Sequence, residues 1–386
     1  MNKITFLIFI LISCVFGHAQ TATGNIETYV GSIIDNVPGS SGNDYVEPNS
    51  TQLTTWDTVI DFLLADDLAS ARSTASGINY KVTEFTDTSI SPNQIFYILE
   101  EINPESFYWG TYIFSKTPKR GNLIIQAPHI RNDLNTGKQA IRCFKSNVAK
   151  AVFISGTHRC NNTISSTCSG TTSTCNEGSE AYRVSDMAHN TTSMFHKTTE
   201  NLFTNIPESV FIQLHGFGWS SGDPYVIMSN GTRETPEVDY ATLIQNALLV
   251  EDNTLTFELA HINTSWNTLT GFTNTQGRLN NYSTDICTIS AEGTSGRFIH
   301  VEQELSKLRS NVSGWDKMSN ALASVFVEDS DGDGVTTVSD TDDNDKCNPN
   351  PYYAGCNVCD VIITSDNFDS ASGSDLGNWN DGGNNA

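Results

Sequence analysis

Leu123-Ile-Ile-Gln-Ala-Pro-His129-Ile-Arg-Asn-Asp133 is the stretch that decides how this chain is read. Its apolar run has the pattern of a buried strand, and Pro128 ends it in a turn. A buried strand that delivers a histidine and then a carboxylate is costly unless those groups have partners. Two later stretches repeat the design. Ser209-Val-Phe-Ile-Gln-Leu-His215-Gly216-Phe217 ends on a histidine, and Arg297-Phe-Ile-His300-Val-Glu302-Gln-Glu304 ends on carboxylates. In an open α/β sheet the carboxyl ends of the strands converge on one crevice. The three strand ends are expected to form a single site of metal-hydrolase type.

Outward from these strands, the pattern alternates. Thr136 to Val148, Asp186 to Phe203, Pro236 to Val250 and Gly314 to Phe326 carry helical spacing. Ala151–Ser155, Tyr225–Met228 and Leu255–Leu259 are strand-like. The alternation predicts an α/β fold with a mixed, largely parallel sheet flanked by helices. Tyr108 to Phe114, with the turn at Pro118-Lys-Arg-Gly121, predicts a hairpin into the Leu123 strand. Thr21 to Ser50 is polar and is expected to be a loop; Trp56 to Leu68 is expected to be a helix.

Zinc chemistry needs a few nitrogen or oxygen ligands and an open position. His129, Asp133 and His215 are the expected zinc ligands. A carboxylate outside the ligand set can move the proton of an attacking water, and Glu302 or Glu304 fills that role. Arg159, after the Ala151 strand, could hold a substrate carboxylate. His158, Asp186, His189 and His196 are expected to line the substrate wall, the last three from one helical face. Gly218-Trp-Ser220-Ser-Gly222 matches a serine-nucleophile elbow, with Asp285 and His300 downstream. That elbow requires a helix directly after the serine, and Gly222-Asp-Pro is turn chemistry instead.

The first twenty residues point to export. A lysine, an apolar run from Ile4 to Phe16 and Gly17-His-Ala19 form a signal-peptide pattern. No later apolar run is long enough to span a bilayer. Leaving out Cys14, eight of the nine cysteines remain, and in an exported chain disulfides are the default. At least one bridge is expected within the loop that holds Cys160, Cys168 and Cys175. The formal charge of −23 argues against nucleic acid as a partner. From Glu328 onward thirteen acids face one lysine, a balance of −12, so about half of that charge lies in the last sixth of the chain. Asp329, Asp331, Asp333 and Asp340 around Gly334 have the spacing of a calcium loop, and Asp342 and Asn344 can continue it.

Asp329 to Pro351 resembles the thrombospondin type 3 repeat, through Asp-Ser-Asp-Gly-Asp-Gly-Val and Asp342-Asp-Asn-Asp-Lys-Cys347-Asn-Pro-Asn-Pro351. The resemblance implies bound calcium and a rigid acidic spacer. The core resembles the N-formylglutamate amidohydrolase and zinc carboxypeptidase group. Pro128-His129, Asp133, His215 and Glu302 or Glu304 match that group's site in order. The group has His-x-x-Glu where this chain has His129-x-x-x-Asp133, so Glu180 or Asp186 could replace Asp133 as the third ligand. The resemblance implies a mixed sheet between helices and hydrolysis of an amide bond near a carboxylate.

The expected organisation is a signal peptide (1–19), a lead-in packed on the core (20–107), an α/β hydrolase-like core (108–326), a calcium-binding linker (327–360) and the opening of a truncated β domain (361–386). The expected protein is secreted or attached to the cell surface through a missing C-terminal part. Its expected activity is zinc-dependent hydrolysis of an amide or peptide substrate. Two alternatives stand beside it: a non-catalytic calcium-binding surface or adhesion protein, and a serine esterase using Ser220.

Overall fold

The computed structural model describes residues 20–104 and 106–329. The expected signal peptide, the C-terminal stub and the calcium ligands Asp331, Asp333, Asp340, Asp342 and Asn344 lie outside the described residues. Asp329 is the last residue described, and its backbone N–H donates to Lys119 O at 2.9 Å.

In chain order the first half comprises β1 (Thr21–Gly24), α1 (Ile26–Asp35), α2 (Ser50–Leu64), α3 (Leu68–Ser76), β2 (Tyr80–Asp87), β3 (Gln94–Glu101), β4 (Thr111–Ser115), β5 (Arg120–Ala127), α4 (Thr136–Asn147) and β6 (Ala149–Ile154). There follow β7 (Thr171–Thr172), β8 (Glu180–Ala181), α5 (Met194–Asn205), β9 (Val210–Gly216), β10 (Val226–Ser229), α6 (Tyr240–Glu251) and β11 (Phe257–Leu259). The last elements are α7 (Thr275–Asn280), β12 (Phe298–Gln303), a π-helical segment (Leu305–Arg309) and α8 (Val312–Val325).

Ten strands form one sheet in the order β1-β2-β3-β4-β6-β5-β9-β12-β10-β11. Five of its nine pairings are parallel, including the central run β6-β5-β9-β12. The fold is mixed α/β, with helices on both faces. One face packs on α1, α4, α6 and α8 through residues such as Val30, Phe144, Ile244 and Leu322. The other packs on α2, α3 and α5 through Trp56, Ala71 and Phe195.

Strand alternation decides which side chains meet the site. Leu123 and Ile125 of β5, Ile212 and Leu214 of β9, and Ile299 and Val301 of β12 belong to the first face. Ile124, Phe211 and Phe298 belong to the second. By the period of two, Gln126, Gln213, His215, His300 and Glu302 continue the second face. Register aligns them: Gln126 pairs with Gln213, Gln213 with His300, and His215 with Glu302.

Several local expectations are corrected. Thr21–Ser50 is not a loop, since it carries β1 and α1. No hairpin joins β4 to β5, because β6 is inserted between them. A turn signal reports a reversal of the chain, not which strand fills the neighbouring place. The helix after the cysteine-rich loop begins at Met194, not at Asp186, with Ser193 as its N-cap. Helix α6 begins at Tyr240, later than Pro236, behind the cap Asp239, whose side chain accepts from Thr242 N–H.

Candidate metal centre

His129 and Asp133 sit on the turn that follows β5. The Asn132 and Asp133 N–H groups both donate to His129 O, at 2.9 and 2.7 Å, which curls the segment so that the two side chains face one another. His215 arrives from the end of the adjacent strand β9. Asp133 Oδ2 lies 3.5 Å from His129 Nδ1 and 3.3 Å from His215 Nδ1. The three residues are 1%, 3% and 2% exposed. Asp133 Oδ1 accepts from Asn132 Nδ2 at 2.8 Å, leaving Oδ2 for the imidazoles.

The far side of each ring is also fixed. His129 Nε2 is 2.8 Å from Asp186 Oδ1, and His215 Nε2 is 2.7 Å from Gln213 Oε1. Each of those oxygens can only accept, so both Nε2 atoms carry hydrogen. In the neutral rings the two Nδ1 lone pairs then face the same carboxylate oxygen, and Arg159 Nη1 stands 3.4 Å from that of His129. Three electron-rich atoms in a dry pocket repel one another unless a proton or cation lies among them. Tetrahedral zinc with ligand distances of ~2.0–2.1 Å places its ligand atoms about 3.3 Å apart. The observed spacings and the acceptors behind both rings fit such an ion.

Asp186 is also gripped by Arg159, whose Nε and Nη2 reach Oδ2 at 2.9 and 2.5 Å. Burial alone would raise the Asp186 carboxyl, but Arg159, His189 and His129 outweigh it and hold it well below the usual carboxylate range. Asp133 is likewise held low, against burial, by the imidazoles of His129 and His215 beside it. Burial pushes His215 down to about 4, with Asp133 opposing. For His129, burial and Arg159 favour the neutral ring, yet Asp186 and Asp133 together leave its pKa raised.

Glu302 joins this group. It and His215, with His300, bring ligand-type atoms within 4.8 Å of one another, as do His129 with Asp133 and His215, and His129 with Asp186 and His189. His300 Nε2 lies 3.6 Å from Glu302 Oε1. Among the described residues, Glu302 Oε2 and His300 Nδ1 are buried without a hydrogen-bond partner. Burial, followed by the Asp133 charge, raises the Glu302 carboxyl well above its usual value. Glu302 is thus suited to hold a proton.

The remaining expected residues have other places. Glu304 caps the π-helical segment, accepting from Ser306 N, Ser306 Oγ and Lys307 N at 2.7, 2.8 and 3.0 Å. Alternation alone put it beside Glu302, but the strand ends at Gln303. Asp186 and His189 meet at 3.0 Å in a turn, not on the helical face expected of them. His196 belongs to α5, where its Nδ1 is 3.4 Å from Gln276 Nε2. His158 Nδ1 accepts from Cys160 N at 3.0 Å. Arg159 does not present an open fork, since Asp186 occupies it, and its Nη1 is 3.4 Å from His129 Nδ1. Glu180 pairs with Arg183 at 3.1 Å and belongs to none of the three groups.

The serine triad is not assembled. A turn and β10 follow Ser220, not a helix. Asp285 accepts from Cys287 N and Thr288 N and Oγ1, while His300 lies beside His215, ring centres 4.4 Å apart.

The reading of the sequence missed Gln126, Gln213, Asn274, Gln276 and Tyr182. Gln126 and Gln213 carried a signal: each interrupts an apolar strand just before its histidine. Tyr182 stacks on His189 with centroids 3.6 Å apart, a contact that no spacing announces. A groove of about 450 Å³ opens beside the site between Asn132, Leu134, Phe217, Trp219, Leu305 and Arg309. Two disulfides, Cys160–Cys175 and Cys168–Cys287, brace the loop that carries Arg159 and Asp186. The first is the bridge expected within that loop; Cys143 is buried and free.

No family model matches the chain, and no curated protein matches it significantly. Among solved structures, N-formylglutamate amidohydrolase from Ralstonia eutropha JMP134 is similar at 9% identity and a TM-score of 0.33, over 54% of this chain and 93% of that one. A putative carboxypeptidase A from Shewanella denitrificans OS-217 is similar at 11% identity and a TM-score of 0.31, over 67% of each chain. A metallo-carboxypeptidase from Burkholderia cenocepacia gives 10% identity and a TM-score of 0.32, over 66% of this chain and 68% of that one. Likenesses this slight carry no argument about the chemistry, which rests on the geometry above.

Proposed function

We propose that this chain is an exported zinc-dependent hydrolase of amide or peptide bonds, of the carboxypeptidase or N-formylglutamate amidohydrolase type. The observation that carries the reading is the meeting of the His129 and His215 Nδ1 atoms at Asp133 Oδ2, with both Nε2 protons committed elsewhere. His129, Asp133 and His215 would hold the ion. Zinc bound there would polarise a carbonyl and lower the pKa of a water. Glu302 would take a proton from the attacking water at its unpartnered Oε2 and return it to the leaving amine. Arg159, through its Nη1, which does not contact Asp186, and His189, with side chains 11% and 12% exposed, are the more open members of the site and would meet the substrate. Near-complete burial of the ligands keeps bulk water out.

Export is supported by the two disulfides, which suit an oxidising compartment. Among the described residues, no helix is long and apolar enough to cross a membrane. The acidic segment from Asp329 is proposed as a calcium-binding spacer on its sequence pattern alone. The deciding experiment is metal analysis of the purified full chain beside the double variant His129→Ala/His215→Ala. The wild type should hold one zinc that the variant loses, and chelation should abolish amide hydrolysis. Equal zinc content in the two proteins would overturn the reading and leave a calcium-binding surface protein.

A further inference from the structure

The orientation of His215 is set from outside the site, by two side chains at the start of α7. The direction of each amide here is settled by backbone groups that can only donate or only accept. Asn274 is the N-cap of α7, and its Oδ1 accepts from Gly277 N–H at 3.0 Å. Its Nδ2 must then face outward, and it donates to Gln213 Oε1. Gln276 Nε2 donates to Met187 O at 2.9 Å, which leaves its Oε1 to accept from Gln213 Nε2 at 3.2 Å. Gln213 is held at both ends of its amide.

A third contact agrees. Thr199 Oγ1 donates to Phe195 O at 2.9 Å and accepts from Gln126 Nε2 at 2.8 Å, so Gln126 Oε1 accepts from Gln213 Nε2 at 2.9 Å. Each of these residues is buried. Gln213 therefore has one way to face His215, with its oxygen. It accepts from His215 Nε2 at 2.7 Å. The strand itself would permit either ring orientation; the amide cluster permits one.

We propose that Gln213, aimed by Asn274 and Gln276, is the positioning residue that holds His215 in its Nε2–H tautomer and presents the Nδ1 lone pair to the metal. The inference rests on the zinc reading for its purpose and on the hydrogen bonds alone for its geometry. It also limits the site to one ion. A ring with hydrogen on Nε2 and Nδ1 turned to Asp133 has nothing left for a second ion beside His300 and Glu302.

The test uses the full chain and two readouts: long-range ¹H–¹⁵N spectra of the metal-free protein, which distinguish imidazole tautomers, and zinc affinity by competition with a chromophoric chelator. Gln213→Met removes the acceptor, so His215 should become a mixture of tautomers and zinc affinity should fall about 10–100-fold. Gln213→Glu can keep an oxygen toward His215 and a protonated oxygen toward Gln126, and should restore both readouts. Asn274→Asp keeps the cap of α7 but replaces the donor facing Gln213 with an acceptor. The new carboxylate opposes the Gln213 oxygen while Gln126 and Gln276 still accept from its Nε2, so the Gln213 amide loses its single orientation, Nδ1–H should appear in the His215 spectrum, and zinc affinity should fall. If His215 remains Nε2–H in both Gln213→Met and Asn274→Asp, the proposal is wrong. If the wild type binds no zinc while the tautomers shift as described, the positioning stands and the metal reading fails.

Discussion

Glu302 and His215 are direct partners across the parallel pair β9–β12, on the face of the sheet that α5 covers. Two residues far apart in the chain are thereby locked at one strand spacing, and a buried carboxyl stands beside a buried imidazole. The relationship assigns the later carboxylate to the site and leaves Glu304, two residues on, to cap a helix.

Glu302→Gln keeps shape and removes the proton carrier. Amide hydrolysis by this variant should drop by about 10²–10⁴-fold, the usual worth of a general acid–base. Zinc content and thermal stability should match the wild type. Turnover assays beside metal analysis check this, and a variant that keeps full activity would remove Glu302 from the mechanism.

Asp186→Asn leaves the Arg159 guanidinium without its carboxylate in a buried setting. Breaking a buried pair from one side costs about 3–5 kcal/mol. Urea unfolding should show a loss of that order, and zinc affinity should fall about 10–100-fold because the support behind His129 Nε2 weakens. The double variant Arg159→Met/Asp186→Asn should recover part of the stability and none of the zinc affinity.

Gly216 follows His215 because a larger residue has no room there. A Cβ at this position would stand 2.1 Å from the Arg309 guanidinium carbon. Arg309 staples three segments through Gln303 O at 3.0 Å, Leu134 O at 2.7 Å and Phe217 O at 3.4 Å. Gly216→Ala should therefore destabilise by about 1–3 kcal/mol, the range for overpacking. Chemical denaturation measures it, and Gly218→Ala, with open space around it, serves as the neutral control.

The end of α6 supplies a pH dependence. Lys317 Nζ lies 2.7 Å from Asp252 Oδ2, and with Thr254 it holds the Asp252 carboxyl well below its usual value. A depressed carboxyl contributes stability above its unfolded pKa of about 3.9, and that contribution is lost as pH falls through the folded value. Lys317→Met should lower stability at neutral pH by a fraction of a kcal/mol, as for other partly exposed pairs. The difference from wild type should shrink as the pH falls below about 4. A difference that grows on acidification would contradict the assignment.

Much of the site was legible because strand chemistry is local. Apolar runs broken by Pro128 and Gly216 showed where His129 and His215 emerge, and β12 could be read up to its carboxylates. The setting of Asp186 was mistaken because helical spacing suggested a face where the chain makes a turn. Arg159 could be read as a holder of a substrate carboxylate because its own partner, Asp186, is 27 residues away in the chain. The glutamines were passed over because a neutral amide inside a strand has no meaning until its neighbours are known.

The sequence by itself determined the alternation of strand and helix, the strand faces, the ends at which histidines appear and the acidity of the tail. These follow from periods of two and 3.6 residues and from turn chemistry, all set within a few positions. Only the tertiary structure decided that β6 separates β4 from β5, that Asp186 rather than solvent accepts from His129 Nε2, and which nitrogen of His215 is bare. Those outcomes depend on which surfaces meet after the chain crosses the sheet. In a dry interior each buried donor must find an acceptor, so the partners choose the tautomer and the chain order does not.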